Sequence, residues 1–218
     1  MDINSGIEPG VFQITDFYSH CKCPSCIIYG ARNSGKTVFL KKLLLYFRDK
    51  YEHEVIIITG TNDPEYSSLN LPQMVYEKGT LDYLEGLYKD GYPNERKPLI
   101  MLFDDMTAFY KNVRANNLIN LLFSAGRHKN IIILYVLHGV KGIDTISRDN
   151  TDIIILTKIN GERAKKSIYE LVSPANDDGS SMKFDEWKYF LKKYLKNYDK
   201  LFFDFYDEKF RLITTEKT

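Results

Sequence analysis

The chain has 218 residues, 44% hydrophobic and 27% charged, a size and balance that suit one globular domain with a substantial buried core. The net charge of +1 excludes a generally basic, nucleic-acid-coating surface, so any such contact must be local. No apolar run approaches the length of a membrane span, and the opening MDINSGIEPG lacks a signal-peptide pattern; the expectation is a soluble protein, not secreted, working inside a cell or packed into a particle made there. Residues 1–25 read as a polar lead-in with Pro9 and Pro24. His20, Cys21, Cys23 and Cys26 are four ligand-type side chains close together, but their spacing matches no usual zinc pattern, and reduced thiols are expected.

The first strand is expected at Cys26–Tyr29, a short apolar run ending in Gly30. Val38–Phe47 then reads as a helix with one apolar face and lysines on another. Glu54–Thr59 reads as a second strand and Gly60–Pro72 as a loop rich in Asn, Asp, Ser and Pro. Leu81–Tyr88 is expected to be helical, and Gly91–Lys97 is turn-rich. Leu99–Phe103 is a third buried strand that ends in Asp104-Asp105. A helix follows at Leu118–Ser124, then strands at Asn130–Leu137 and Asp152–Leu156. Glu162–Leu171 and Phe184–Lys196 look helical, with a terminal hairpin of Leu201–Tyr206 and Phe210–Thr214 around Asp207-Glu208. Strands that alternate with helices and are apolar on both faces indicate an α/β fold with a mostly parallel sheet covered on both sides. With no repeat and no low-complexity linker, residues 1–218 are taken as one domain: a lead-in (1–25), a core of alternating strands and helices (26–160), and C-terminal helices with a hairpin (161–218).

Gly30-Ala31-Arg32-Asn33-Ser34-Gly35-Lys36-Thr37 matches GxxxxGK[ST] in full, between an expected strand and an expected helix. In such a loop the glycines let successive backbone N–H groups face inward and hold phosphate oxygens, helped by the positive end of the following helix. Lys36 is suited to the β- and γ-phosphates, and the Thr37 hydroxyl to Mg²⁺. Asp104, at the end of its strand, is the second candidate metal ligand, and Asp105 is a candidate for polarising the attacking water. ATP and Mg²⁺ are the expected ligands.

Farther along, Gly126-Arg127-His128 precedes the apolar strand that ends at His138, and Arg148-Asp149-Asn150 follows. From about Ile27 to Leu156 the chain resembles the poxvirus-type genome-packaging ATPases, members of the FtsK/HerA group of DNA-pumping motors found in large DNA viruses and virophages. The resemblance implies a RecA-like P-loop fold with Walker A and Walker B sites. It also implies a homo-oligomeric ring, a pentamer or hexamer, that moves double-stranded DNA and meets viral capsid or portal components at the host assembly site. His138 stands where that family usually carries Gln, whose amide orients a water or contacts the γ-phosphate; neutral His supplies one donor and one acceptor. The resemblance further implies an arginine finger supplied to a neighbour's site, by Arg148 or Arg127. Lys111, Arg114, Lys141 and Arg163 are candidate DNA contacts.

Other readings of the same loop stay open at this level. Thr157-Lys158-Ile159-Asn160 is similar to the guanine-recognition TKxD of GTP switches, with Asn in place of the final Asp. A small-molecule kinase would use the same loop with an arginine-rich lid. A scaffold protein with a decayed site would not need Lys36, Thr37, Asp104 and Asp105 together.

Overall fold

A computed structural model describes residues 9–60, 64–106, 112–139, 144–176, 178–196 and 198–214. The first half contains β1 (Gly10–Val11), β2 (Ser25–Tyr29), α1 (Lys36–Tyr51), β3 (Val55–Thr59), α2 (Pro64–Ser67), β4 (Gln73–Val75), α3 (Lys78–Asp90) and β5 (Leu99–Asp104). The second contains α4 (Val113–Ala125), β6 (Ile131–Leu137), α5 (Thr145–Asp149), β7 (Ile153–Leu156), α6 (Glu162–Val172), α7 (Phe184–Tyr194), β8 (Lys200–Asp204) and β9 (Lys209–Ile213).

Every residue of β2, β5, β6 and β7 is buried. That is the consequence of covering both faces of a sheet, and it explains why these strands show as unbroken apolar runs. Side chains alternate between two layers. Ile27, Met101, Phe103, Ile133 and Ile154 pack on one face with α3, α4, α6 and α7. Cys26, Ile28, Leu102, Leu134 and Ile155 pack on the other, against Leu40, Leu43, Leu44 and Phe47 of α1. The i, i+3, i+4, i+7 spacing of those four residues makes one helical stripe.

One nine-stranded sheet results, in the order β1-β9-β8-β7-β2-β6-β5-β3-β4. Of its strands only β8 runs against the rest, pairing antiparallel with both β7 and β9. Parallel strands deliver their C-terminal ends to one edge, where ligands of open α/β sheets bind. Here that edge collects the loops after β2, β5, β6 and β7. Because β8 is reversed, the chain entering it at Tyr198 reaches the same edge, with Leu201 opposite Leu156.

The differences from the sequence expectations have local causes. The Gly60–Pro72 loop includes the one-turn α2, and β4 follows it; both are too short to carry a periodic signal. α4 begins five residues before Leu118 because Asn112 caps it, accepting from the Ala115 backbone N–H at 3.1 Å. Arg148 lies on α5, a five-residue helix capped by Asp144. The lead-in is more than polar chain: Phe17 is 1% exposed against Phe47, and β1 pairs with β9. No described helix is long and apolar enough to cross a membrane.

Candidate functional site

The loop from Gly30 to Thr37 leaves the end of β2 and turns into α1 through Gly35, whose φ of 78° favours glycine. Gly30 is required for closeness: a Cβ there would lie 1.7 Å from Thr157 Oγ1. Thr157, fully buried after β7, braces the loop by a 2.6 Å hydrogen bond with Ser34 Oγ. The Ala31 N–H donates to the Lys158 carbonyl at 2.9 Å. Lys36 is 4% exposed and donates to the carbonyls of Gly30 (2.8 Å) and Ala31 (2.7 Å). Burial pushes its pKa down to about 8, partly opposed by Asp104. Thr37 is half-buried in the first turn of α1, while Arg32 and Asn33 are exposed.

On the other side of the loop, β6 lies between β2 and β5. His138 at the end of β6 therefore comes between Lys36 and the acidic pair, and it interacts electrostatically with Lys36, Asp104, Asp105 and Arg32. Partial desolvation, then Lys36, holds the imidazole below its ordinary pKa, so the neutral form prevails near pH 7. Asp104 is 6% exposed; its Oδ2 accepts from the Tyr66 hydroxyl at 2.7 Å and its Oδ1 from the Asp105 N–H at 2.8 Å. Burial raises its pKa, while Tyr66, His138, the Asp105 N–H and Lys36 oppose the rise. Asp105 is exposed with φ 51°, and its carbonyl stands 2.2 Å from where a Cβ on Gly60 would be. Gly60 thus gives the backbone room to turn at the acidic pair.

The donor set fits a nucleoside triphosphate with a divalent cation. It offers a tight glycine-bearing loop, a buried ammonium, a hydroxyl at the helix start, and a carboxylate kept near it. Lys36, Thr37, Asp104, Asp105 and His138 are brought to one edge. Arg127 and Arg148 are not. Arg127 lies in the 3-10 turn Gly126–Lys129 before β6 and lines a cavity of about 610 Å³ with Cys21, Asp152 and Asp204. Arg148 is exposed on α5, and two residues later the Asn150 carbonyl accepts from Ser25 Oγ at the opposite end of β2. Among the proposed DNA contacts, Arg114 is ion-paired with Asp82 and Glu85, which offsets its charge. Arg163 is exposed on α6. Lys111 and Lys141 lie outside the described residues.

Sequence reasoning missed Tyr66 and the bracing role of Thr157. Tyr66 belongs to no motif, because its role depends on the fold bringing its hydroxyl to Asp104 at the end of β5. Thr157 was visible only as part of the TKxD-like run; its side chain is occupied by Ser34 and the Tyr29 carbonyl.

A family model described as Poxvirus A32 protein matches residues 22–166. A search of curated proteins finds no match. Among solved structures, the chain is similar to the genome packaging NTPase B204 from Sulfolobus turreted icosahedral virus 2 in complex with AMPPCP. That likeness has 16% identity and a TM-score of 0.66, over 88% of this chain and 98% of that one. It is also similar to B204, the DNA-packaging ATPase from Sulfolobus turreted icosahedral virus, at 16% identity and TM-score 0.67, over 88% and 97%. The pCW3 conjugation coupling protein TcpA, solved with ATPγS, matches at 13% identity and TM-score 0.65, over 87% of this chain and 59% of that one. At these identities the likeness establishes the fold, that of a P-loop NTPase with a mostly parallel sheet and flanking helices.

Proposed function

The chain belongs to the Poxvirus A32 protein family, and from that premise we propose that it hydrolyses ATP with Mg²⁺ and, as one subunit of a homo-oligomeric ring, drives double-stranded viral DNA into a capsid. The observation that supports this most is the convergence of Lys36, His138 and Asp104 at the ends of β2 and its next two neighbours, β6 and β5. In this reading the loop amides from Gly30 to Thr37 hold the phosphates and Lys36 contacts the β- and γ-oxygens. Thr37 and Asp104 hold Mg²⁺, which neutralises charge on those oxygens when bound. Asp105 orients the attacking water, and neutral His138 contacts the γ-phosphate or that water with one donor and one acceptor.

Arg148 or Arg127 would serve the neighbouring subunit, since both sit toward the edge opposite their own chain's loop. Such a residue stabilises charge that develops in transfer and is worth about 10³–10⁵ in rate. Capsid or portal components are the further partners of this reading, and the viral assembly site its place. The test is ATP hydrolysis with and without double-stranded DNA, beside a measurement of particle mass. Turnover that rises with DNA in a ring-sized species is expected. A monomer whose hydrolysis ignores DNA would overturn the motor reading, and loss of turnover in Lys36→Ala is required in either case.

A further inference from the structure

The phosphate loop has two flanks, and the groups proposed to meet the γ-phosphate occupy only one. Lys36, His138 and Asp104 place the γ-phosphate end toward β6 and β5. A triphosphate laid along the loop must then carry its nucleoside on the other flank, toward β7 and β8. The residue waiting there is Tyr198. Its ring packs directly on Gly35: a Cβ on that glycine would meet Tyr198 Cδ1 at 3.0 Å and both Cβ and Cγ at 3.7 Å. Yet Tyr198 is 63% exposed, so the rest of the ring is open. Val38, one turn along α1 from Gly35 and on the same helical face, is 57% exposed. An aromatic face and an aliphatic side chain thus stand open where the phosphate loop becomes helix.

The backbone at Tyr198 carries a cost. Its φ is 66°, and it is the one aromatic residue among the described non-glycine residues with positive φ. A bulky side chain in the left-handed region is an outlier that persists only where its surroundings hold it, and such strain clusters at ligand sites. The holding group is Lys200, 1% exposed, whose ammonium donates to the Tyr198 carbonyl and lies 5.2 Å from the centroid of the Phe39 ring on α1. A buried lysine is an expensive device for pinning an exposed tyrosine.

We propose that Tyr198 is the nucleobase platform of this site: the base of the bound nucleotide stacks on its exposed face, with Val38 alongside, and Lys200 is the positioning residue that holds the platform against the phosphate loop. This rests on the nucleotide-binding reading above, and it assigns a function to the chain segment that leads into the C-terminal hairpin.

The test compares ATP with inorganic tripolyphosphate, which has the phosphates and no base, by calorimetry on the full chain. Tyr198→Gly removes the ring while suiting the backbone conformation. It should weaken ATP binding by about tenfold or more, the range expected for one base–aromatic stack, and leave tripolyphosphate unchanged. Tyr198→Phe should keep the ATP affinity. If Tyr198→Gly weakens both ligands equally, or neither, the platform is refuted while the phosphate site stands. If the unaltered chain binds neither ligand, the nucleotide reading itself fails. A second measurement does not depend on the glycine variant folding. In Tyr198→Trp the new indole should be quenched by ATP and not by tripolyphosphate, against the constant background of the sole native tryptophan, Trp187, which is fully buried. Equal responses to the two ligands would overturn the proposal.

Discussion

The Tyr66 hydroxyl holds Asp104 Oδ2 at 2.7 Å, so the carboxylate proposed to face Mg²⁺ is steered by a side chain from α2, a helix of one turn. Groups that orient a ligand in this way typically matter about 10–100-fold in metal affinity. Tyr66→Phe is expected to raise the Mg²⁺ concentration for half-maximal hydrolysis by that order. It should also move the acid limb of the pH profile. Asp104 must be ionised to hold a cation, and burial already raises its pKa against the help of Tyr66. Removing that help raises it further, so activity should fall away at a higher pH than in the unaltered protein. An unchanged Mg²⁺ titration and acid limb would remove Tyr66 from the site.

Lys36 should announce ligand binding through protons. Its pKa is pushed down to about 8, so above that pH it is largely neutral until a triphosphate's charge restores its proton. ATP binding should therefore take up a fraction of a proton at pH 8.5 and little at pH 7. Calorimetry in buffers of different ionisation enthalpy measures this. In Lys36→Arg, which stays protonated, the uptake should vanish; uptake that persists there would have another source.

Two glycines resist alanine for different reasons. Gly30→Ala meets the Thr157 hydroxyl, and overpacking of this kind costs about 1–3 kcal/mol. Thr157→Ala removes the nearest obstacle, so the double variant should recover part of the urea midpoint lost in Gly30→Ala. Gly60→Ala meets the backbone carbonyl of Asp105, which no side-chain change can clear. Strictly additive midpoints for the Gly30 and Thr157 pair would show that the contact does not limit the loop.

Subunit mixing tests the shared site. Neither Lys36→Ala nor Arg148→Ala should hydrolyse ATP well alone. In an equal mixture about a quarter of ring interfaces combine an intact loop with an intact arginine, by chance pairing of two subunit types in a closed ring. Activity should reappear in the mixture. If it reappears only with Arg127→Ala in place of Arg148→Ala, the finger is Arg127. Activity that fails to reappear with either means that neither arginine acts across an interface.

His138→Gln should keep turnover within a few-fold, since an amide also supplies both a donor group and an acceptor, whereas His138→Ala should lose much more. Equal losses would deny His138 a polar role.

The buried parallel strands were readable because burial on both faces forces unbroken apolar runs, as in Ile131–Leu137. The loop from Gly30 to Thr37 was readable because its motif is contiguous and Gly35 turns there with φ 78°, although the closeness that Gly30 serves is to Thr157, far along the chain. What could not be read depends on contacts between distant segments. Tyr66 reaches Asp104 across 38 positions, Thr157 reaches Ser34 across 123, and Tyr198 reaches Gly35 from the far end of the chain. Tyr66 and Tyr198 sit in no pattern of their own, and the TKxD-like run around Thr157 points to a different role. β4 and α5 were missed for a simpler reason: three and five residues are too few to display a period.

The grip of Lys36 on the carbonyls of Gly30 and Ala31 bears on how the site empties. Those oxygens are permanent rivals of any phosphate for the same ammonium, and being tethered they are always at hand. A triphosphate that fills the loop can outbid them through many contacts at once. A cleaved inorganic phosphate, stripped of its connection to the nucleotide, has far fewer. The loop thereby carries its own displacing agent, and departure of the cleaved phosphate should be fast even when the nucleoside end remains seated.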